Sequence, residues 1–332
     1  MDSLTRRRFV AVTTAAAASW PLSGIAAPRR IAFLAQIARP EPFETHIFGT
    51  LAAALRNLGY VEGRTASIDW SFANGDVAAL PGLAASIVQA QPEVVITAGT
   101  LSVVTMHKAT KEIPIIFGNV SDPVGAGVVK SLNSPGTNVT GVLNFSSPMM
   151  PKLLEVLLDA VPRVGEVGVL VNPLQPSHAG ILDSLRPLAQ ARRVRVVGFP
   201  TATASDIESA FSAMARDNVR ALVVPVEGLF IQHRKMIAEL AIKSGVVLAA
   251  VDSEFADAGA LVTYGADQHA MFRTVADYAD RVLRGTRPQE LPVQQPSAYI
   301  MAINRRTEKA LQLQLPPSLL LRANRVIGDG PQ

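Results

Sequence analysis

The chain has no cysteine among its 332 residues. That excludes disulfides, thiolate metal sites, a cysteine nucleophile and a lipid attached to cysteine behind a signal sequence. Aromatic residues make up only 5%, few for a receptor that stacks sugar rings on several Trp or Tyr. The histidines His46, His107, His178, His233 and His269 never stand at a metal-ligand spacing such as H-E-x-x-H, and neither G-x-S-x-G nor G-x-x-x-x-G-K-[ST] occurs. Gly125-x-Gly127 lacks the third glycine and the position after a first strand that a dinucleotide fingerprint needs. Little is left for an enzyme to work with, and no cofactor is implied. No basic cluster interleaved with aromatics occurs, so a nucleic-acid partner is not expected.

The amino terminus carries Thr5-Arg6-Arg7-Arg8-Phe9-Val10, an Ala-rich apolar segment to Trp20, and small residues near Ala26-Ala27. This pattern predicts a twin-arginine signal peptide over residues 1–27. The apolar segment is shorter than the ~20 residues a bilayer span requires. Its removal takes away three arginines and Asp2, and the formal charge falls from +4 to +2. A nearly neutral exported chain with no lipid-bearing cysteine is expected to be free in a Gram-negative periplasm.

The remaining length exceeds what one hydrophobic core serves, so two lobes are expected. Ile31 to Gln36 reads as a buried strand, Phe43 to Leu58 as a helix ended by Gly59, and Ala66 to Phe72 as a strand. A helix over Leu80 to Gln89, a strand over Val94 to Thr97 and a helix over Thr100 to Lys111 continue the alternation. After Val142 it starts again, through strands at Val167 to Val171, Arg195 to Phe199, Ala221 to Pro225 and Val246 to Val251 with helices between them. Leu261 to Tyr264 precedes a long amphipathic helix, Ala270 to Leu283, and Leu291 to Pro296 reads as an extended crossover. Alternating β and α elements demand parallel sheets with right-handed crossovers. The expected fold is therefore α/β, two doubly wound Rossmann-like lobes joined by a hinge. Lobe 1 is expected over 28–142 and 267–294, lobe 2 over 143–266 and 295–332.

Between these halves lies IPIIFGNVSDPVGAGVVKSLNSPGTNVTGV, from Ile113 to Val142. Ile113 to Phe117 is apolar without alternation, as a parallel strand covered on both faces is. Asn119, Ser121 and Asp122 follow, and Pro123 stands where a helix begins, so a short helix is expected after Asp122. With the Gly99-Thr100 turn, the SDPVGAG and PGTNVTG segments and the closing LPVQQPSAYIMAINRRTEKALQLQLPPSLLLRA, the chain from about Arg30 to Val326 resembles a bacterial family. That family is the ABC-transporter substrate-binding proteins related to the tryptophan/tyrosine-binding type. The resemblance implies a type I periplasmic binding protein fold.

Ligands of open α/β sheets bind beyond the carboxyl ends of the strands. The polar residues there are Gln36, Thr100, Ser121, Asp122, Asn144, Asn172, Glu227, Asp252 and Tyr264. Thr100 reads equally as a helix cap or as an anion contact. Asp122 reads as a cap before Pro123, and the resemblance moves it toward the cleft. Glu227 and Asp252 follow apolar strands and can hold a ligand ammonium or stand as solvated loop acids. Phe117 reads as core, and Phe145, Phe230 and Tyr264 as core or pocket wall.

The resemblance implies the periplasmic solute-binding component of an ABC importer. It would close two lobes over a small ligand, an aromatic or branched amino acid or related carboxylate, and present the closed form to an inner-membrane ABC permease. An extracytoplasmic sensor module feeding a membrane receptor needs the same cleft, and a flavin- or nucleotide-using enzyme exported already folded is a third reading.

Overall fold

A computed structural model of the chain describes residues 27–144, 146–175 and 178–328. Phe145 and residues 1–26 of the expected signal peptide lie outside the described residues.

The first sheet is built from β1 (Arg29–Ala35), β2 (Ala66–Phe72), β3 (Val94–Ala98), β4 (Ile115–Val120) and β5 (Val139–Leu143). Its order is β2-β1-β3-β4-β5, all parallel. β3, β4 and β5 are buried along their whole length, which is why they read as near-continuous apolar runs. Between the strands run α1 (Ile47–Asn57), α2 (Leu80–Ala90) and α3 (Thr100–Ala109). Helix α1 starts four residues later than its apolar spacing suggested, because His46 caps it: its side chain accepts from the Phe48 N–H.

The second sheet takes α4 (Ser146–Ala160), β6 (Glu166–Val171), α5 (Ile181–Arg192), β7 (Arg195–Pro200), α6 (Ala204–Arg216), β8 (Ala221–Val224), α7 (Gly228–Gln232), α8 (Arg234–Lys243), β9 (Val247–Ala250), α9 (Glu254–Ala258) and β10 (Val262–Ala266). The chain then makes α10 (Gln268–Leu283), β11 (Tyr299–Asn304), α11 (Arg305–Ala310), α12 (Pro317–Arg322) and β12 (Arg325–Ile327). The strand order is β12-β11-β10-β9-β8-β6-β7, with only the β10–β11 pair antiparallel. The short α7, α9 and β12 carry no periodicity of their own and were not expected from sequence.

Each sheet has a hydrophobic core on both faces. Phe33, Phe48 and Leu51 pack with Phe272 and Val275 on one side of the first sheet, and Leu34, Val95 and Phe117 with Met106 on the other. Leu153, Leu157 and Val223 pack on one side of the second sheet, and Leu222, Phe211 and Phe255 on the other. Helix α10 follows β10 of the second sheet but buries its apolar stripe on the first, against α1 and β4. The return segment runs beside β5, where the Leu143 and Gln294 N–H groups donate to the carbonyls of Gln294 and Gly141, both at 2.9 Å. The chain thus passes between the sheets three times, after β5, after β10 and before β11. We take each sheet with its packed helices as one lobe, α10 belonging to the first.

One expected element is absent. After Asp122 the chain forms a compact turn instead of a helix: Asp122 Oδ1 accepts from the Gly125 N–H at 2.8 Å, and the Val128 N–H donates to the Pro123 carbonyl at 3.1 Å. Gly127 at φ +71° ends it. A cap and Pro123 do start a helical turn, but the left-handed glycine four residues on leaves no room to propagate it.

Candidate functional site

The carboxyl ends of both sheets face each other across a cavity with ≈ 570 Å³ of space between atoms, part of it open to solvent. Lobe 1 contributes Gln36 after β1, His46 and Phe48 at the start of α1, Thr100 at the start of α3, Asn119 near the end of β4, Ser121 after β4 and Asn144 after β5. Lobe 2 contributes Gln175 after β6, Val226 and Glu227 after β8, Ile231 from α7, and Asp252 and Glu254 after β9. The apolar wall is mostly aliphatic, with Ile37, Ile47, Val226 and Ile231 beside Phe48.

In lobe 1, Gly99 at φ +89° is the residue before α3, and Thr100 is its first helical residue, so Thr100 is not the cap. No side chain caps α3. Asn119 sits at a register shift between β4 and β5 with φ +61°, a left-handed conformation that asparagine tolerates. Its Oδ1 accepts from Asn144 Nδ2 at 3.0 Å, and Asn144 Oδ1 accepts from Ser121 Oγ at 2.9 Å. These three side chains form one hydrogen-bonded row along the cavity.

In lobe 2, Glu227 is 2% exposed and caps α7 with one oxygen: Oε2 accepts from the Leu229 N–H at 2.7 Å and the Phe230 N–H at 3.2 Å. Its other oxygen, Oε1, has Gln175 Nε2 at 3.5 Å, at the outer limit of a hydrogen bond. Burial raises the carboxyl's pKa, against the opposing pull of those N–H groups and of the Gln175 and Asn172 side chains. Asp252 differs in kind. Its Oδ1 accepts from the Glu254 N–H at 2.8 Å, and its Oδ2 accepts a short hydrogen bond from Gln268 Nε2, at the start of α10. Burial, with the neighbouring Glu254 charge, pushes it up to about 6. Both its oxygens are engaged, one of them across the β10–α10 passage between lobes.

Direct contacts also join the lobes. His46 Nε2 lies 2.9 Å from Glu254 Oε1, and Glu254 Oε2 lies 3.0 Å from Arg234. Because His46 Nδ1 accepts from the Phe48 N–H at 3.2 Å, Nε2 carries a proton and donates to Glu254. The Ala38 N–H donates to Gln232 Oε1 at 2.8 Å. A Cβ at Gly228 would lie 2.8 Å from Gln36 Oε1, so the missing side chain lets the Gln36 amide of lobe 1 sit against the turn that carries Glu227.

Of the nine residues singled out in the sequence, Gln36, Thr100, Ser121, Asn144, Glu227 and Asp252 line this cavity. Asp122 is exposed and spends its carboxylate on the Gly125 N–H. Asn172 stands behind the wall, where Oδ1 accepts from the Leu174 N–H at 2.9 Å and the side chain hydrogen-bonds Glu227. Tyr264 stacks on Tyr299 with ring centroids 6.3 Å apart and packs on the lobe 2 core. Phe117 and Phe230 are fully buried core residues. His46, Asn119, Gln175 and Glu254 line the cavity without having been selected. Glu254 follows Asp252 by two residues, and Asn119 is the first polar residue after the apolar run Ile113–Phe117, so both had a signal. His46 and Gln175 had none, since only loop geometry turns them inward.

No helix among the described residues is long and apolar enough to cross a membrane, and none of their His, Asp and Glu side chains cluster to hold a metal ion.

Residues 34–327 match the family model described as ABC transporter substrate binding protein. The chain is 30% identical over 261 residues to a tyrosine-binding protein of Clostridioides difficile, covering 79% of this chain and 75% of that one. Among solved structures it superposes on a conserved domain protein of Vibrio cholerae with TM-score 0.84 and 26% identity, over 90% of this chain and 99% of the other. An ABC domain of Streptococcus pneumonia in complex with L-Trp gives TM-score 0.81 at 24% identity, over 90% and 100% of the two chains. The fold shared with these structures is the type I periplasmic binding protein fold.

Proposed function

Since the chain belongs to the ABC transporter substrate binding protein family, whose members bind solutes and are not enzymes, we propose that it is the periplasmic receptor of an importer and that its ligand is an amino acid or a related small carboxylate. The observation that carries this reading is the cavity itself. Polar side chains from both lobes meet in one cavity at the carboxyl ends of both sheets, where open α/β folds hold their ligands. A ligand touching both lobes stabilises the closed form by its differential affinity, and that population shift is what a membrane permease reads. Amino acids are favoured because relatives bind them, one being a tyrosine-binding protein and another having been solved with L-Trp. The uncapped start of α3 and the Asn119–Asn144–Ser121 row suit a ligand carboxylate, and the aliphatic wall suits an apolar side chain. The Arg6-Arg7-Arg8 segment supports export by the twin-arginine route, with the mature protein free in the periplasm and partnered by an inner-membrane permease.

A thermal-shift screen tests the reading. Protein stripped of carried-over ligand by denaturant and refolded is screened against amino acids, small carboxylates, sugars and nucleosides. Binding to the native state alone raises the melting temperature by mass action. A shift confined to amino acids is expected; a shift confined to sugars or nucleosides, or none with any class, would overturn it.

A further inference from the structure

The acceptor atoms and charges of the cavity divide unevenly between the two ends of an amino acid. Three carboxylates line it, those of Glu227, Asp252 and Glu254, and no lysine or arginine does so among the described residues. The one potential cation, His46, is committed to Glu254 through Nε2 and to the Phe48 N–H through Nδ1. A ligand carboxylate therefore meets only neutral donors. Asp252 has both oxygens engaged, and Glu254 is held by His46 and Arg234. Glu227 Oε1 is left, with the long Gln175 contact upon it and the Asn172 side chain supporting the same carboxylate from behind the wall.

Gln175 supplies a second, independent observation. It is 6% exposed, its Nε2 faces Glu227, and its Oε1 has no hydrogen-bond partner among the described residues. A buried amide oxygen without a donor carries a desolvation cost that natural structures seldom leave unmet. What satisfies this oxygen and Glu227 Oε1 together is a donor with several protons and a positive charge, which describes a primary ammonium. The Gln36 amide, seated against Gly228, brings lobe 1 to the same corner, so a group bound there touches both lobes.

We propose that Glu227 and Gln175 form an ammonium subsite that anchors the ligand, and that the ligand's carboxylate is dispensable, so that the protein takes primary amines lacking a carboxylate as well as amino acids. This rests on the receptor reading above and specifies which end of the ligand that receptor recognises.

Isothermal titration on the ligand-stripped protein with matched triplets tests it. L-leucine is compared with 3-methylbutylamine and 4-methylpentanoate, L-tyrosine with tyramine and 3-(4-hydroxyphenyl)propionate, and L-tryptophan with tryptamine and indole-3-propionate. In any triplet that binds, the amine is expected within about tenfold of the amino acid and the acid at least about a hundredfold weaker. An acid that binds as tightly as its amine, or more tightly, overturns the inference and leaves the receptor reading standing. Absence of binding by every member, with no shift from any class in the thermal screen, overturns both. Glu227→Gln is expected to weaken the amino acid about a hundredfold. Since Glu227 also caps α7, Gln175→Leu provides a second variant with no capping role, expected to weaken amino acid and amine about tenfold and leave any residual binding of the acid unchanged. Equal weakening of amine and acid by Gln175→Leu would remove Gln175 from the subsite.

Discussion

Asp252→Asn separates two jobs that a buried acid beside a ligand cavity can do. Asp252 is fully buried, and desolvation, with the Glu254 charge, raises its carboxyl from about 3.8 to about 6. An acid raised in this way holds a proton in the folded state between about pH 4 and 6 while the unfolded chain has released it. Stability from this group is therefore present at low pH and lost as pH rises through the folded value. The difference between the two values corresponds to roughly 3 kcal/mol at ~1.4 kcal/mol per pH unit. Asparagine does not titrate. Its amide oxygen can still accept from the Glu254 N–H, and its Nδ2 can donate to Gln268 Oε1, which has no partner among the described residues. The variant is thus expected to gain roughly 3 kcal/mol on the parent between pH 4 and pH values above 6. That advantage should vanish as pH falls toward 4. Urea denaturation of both proteins from pH 4 to 8 measures it, because the difference between the curves reports Asp252 together with the Glu254 charge beside it. A difference that is flat with pH, or that favours the parent increasingly at high pH, would refute the reasoning. The same variant should bind ligand within about threefold of the parent, since both Asp252 oxygens are already engaged; a hundredfold loss would make Asp252 a ligand group.

Three further substitutions test other parts of the argument. Asp122→Ala removes a cap from an exposed turn outside the cavity; it should cost about 0.5–1 kcal/mol of stability and change ligand affinity less than about threefold by titration calorimetry, whereas a large affinity loss would bring Asp122 into the site. Glu254→Gln weakens the clasp between His46 and Arg234, and with about 1–2 kcal/mol less favouring closure the apparent affinity should fall about tenfold and the ligand-free protein should scatter X-rays as a more open particle. Burial pushes the Glu254 carboxyl up, but the His46 hydrogen bond and the Arg234 charge outweigh it and hold it below its usual range; the clasp should therefore be fully present above the ordinary glutamate value and be lost only as pH falls through the lowered one. Gly141→Ala places a Cβ 2.1 Å from the Phe117 carbonyl oxygen inside the first sheet, and a loss of at least ~3 kcal/mol or of soluble protein is expected, read from the urea midpoint and the soluble yield.

Sequence by itself determined the class of fold and the edge at which a site can form. Apolar runs without alternation such as Ile115–Phe117 at the start of β4, separated by amphipathic helices, admit little but parallel sheets covered on both faces. Once the sheets are parallel, Gln36, Thr100, Ser121, Asn144, Glu227 and Asp252 must all emerge at the carboxyl ends of strands. This information is local and periodic, so it survives in the order of residues. The Asp122 turn shows its limit: a cap and a proline announced a helix that Gly127 did not allow to propagate.

Only the tertiary structure decided what each polar residue does at that edge. Glu227 and Asp252 look alike in the chain, each an acid after a buried strand. The fold leaves one Glu227 oxygen beside Gln175 and engages both Asp252 oxygens, one of them with Gln268 at the passage into α10. His46 and Gln175 reach the cavity because the two lobes come together over it, across three chain passages that set residues far apart in sequence side by side. No periodicity encodes such convergence, because it depends on how one lobe sits on the other.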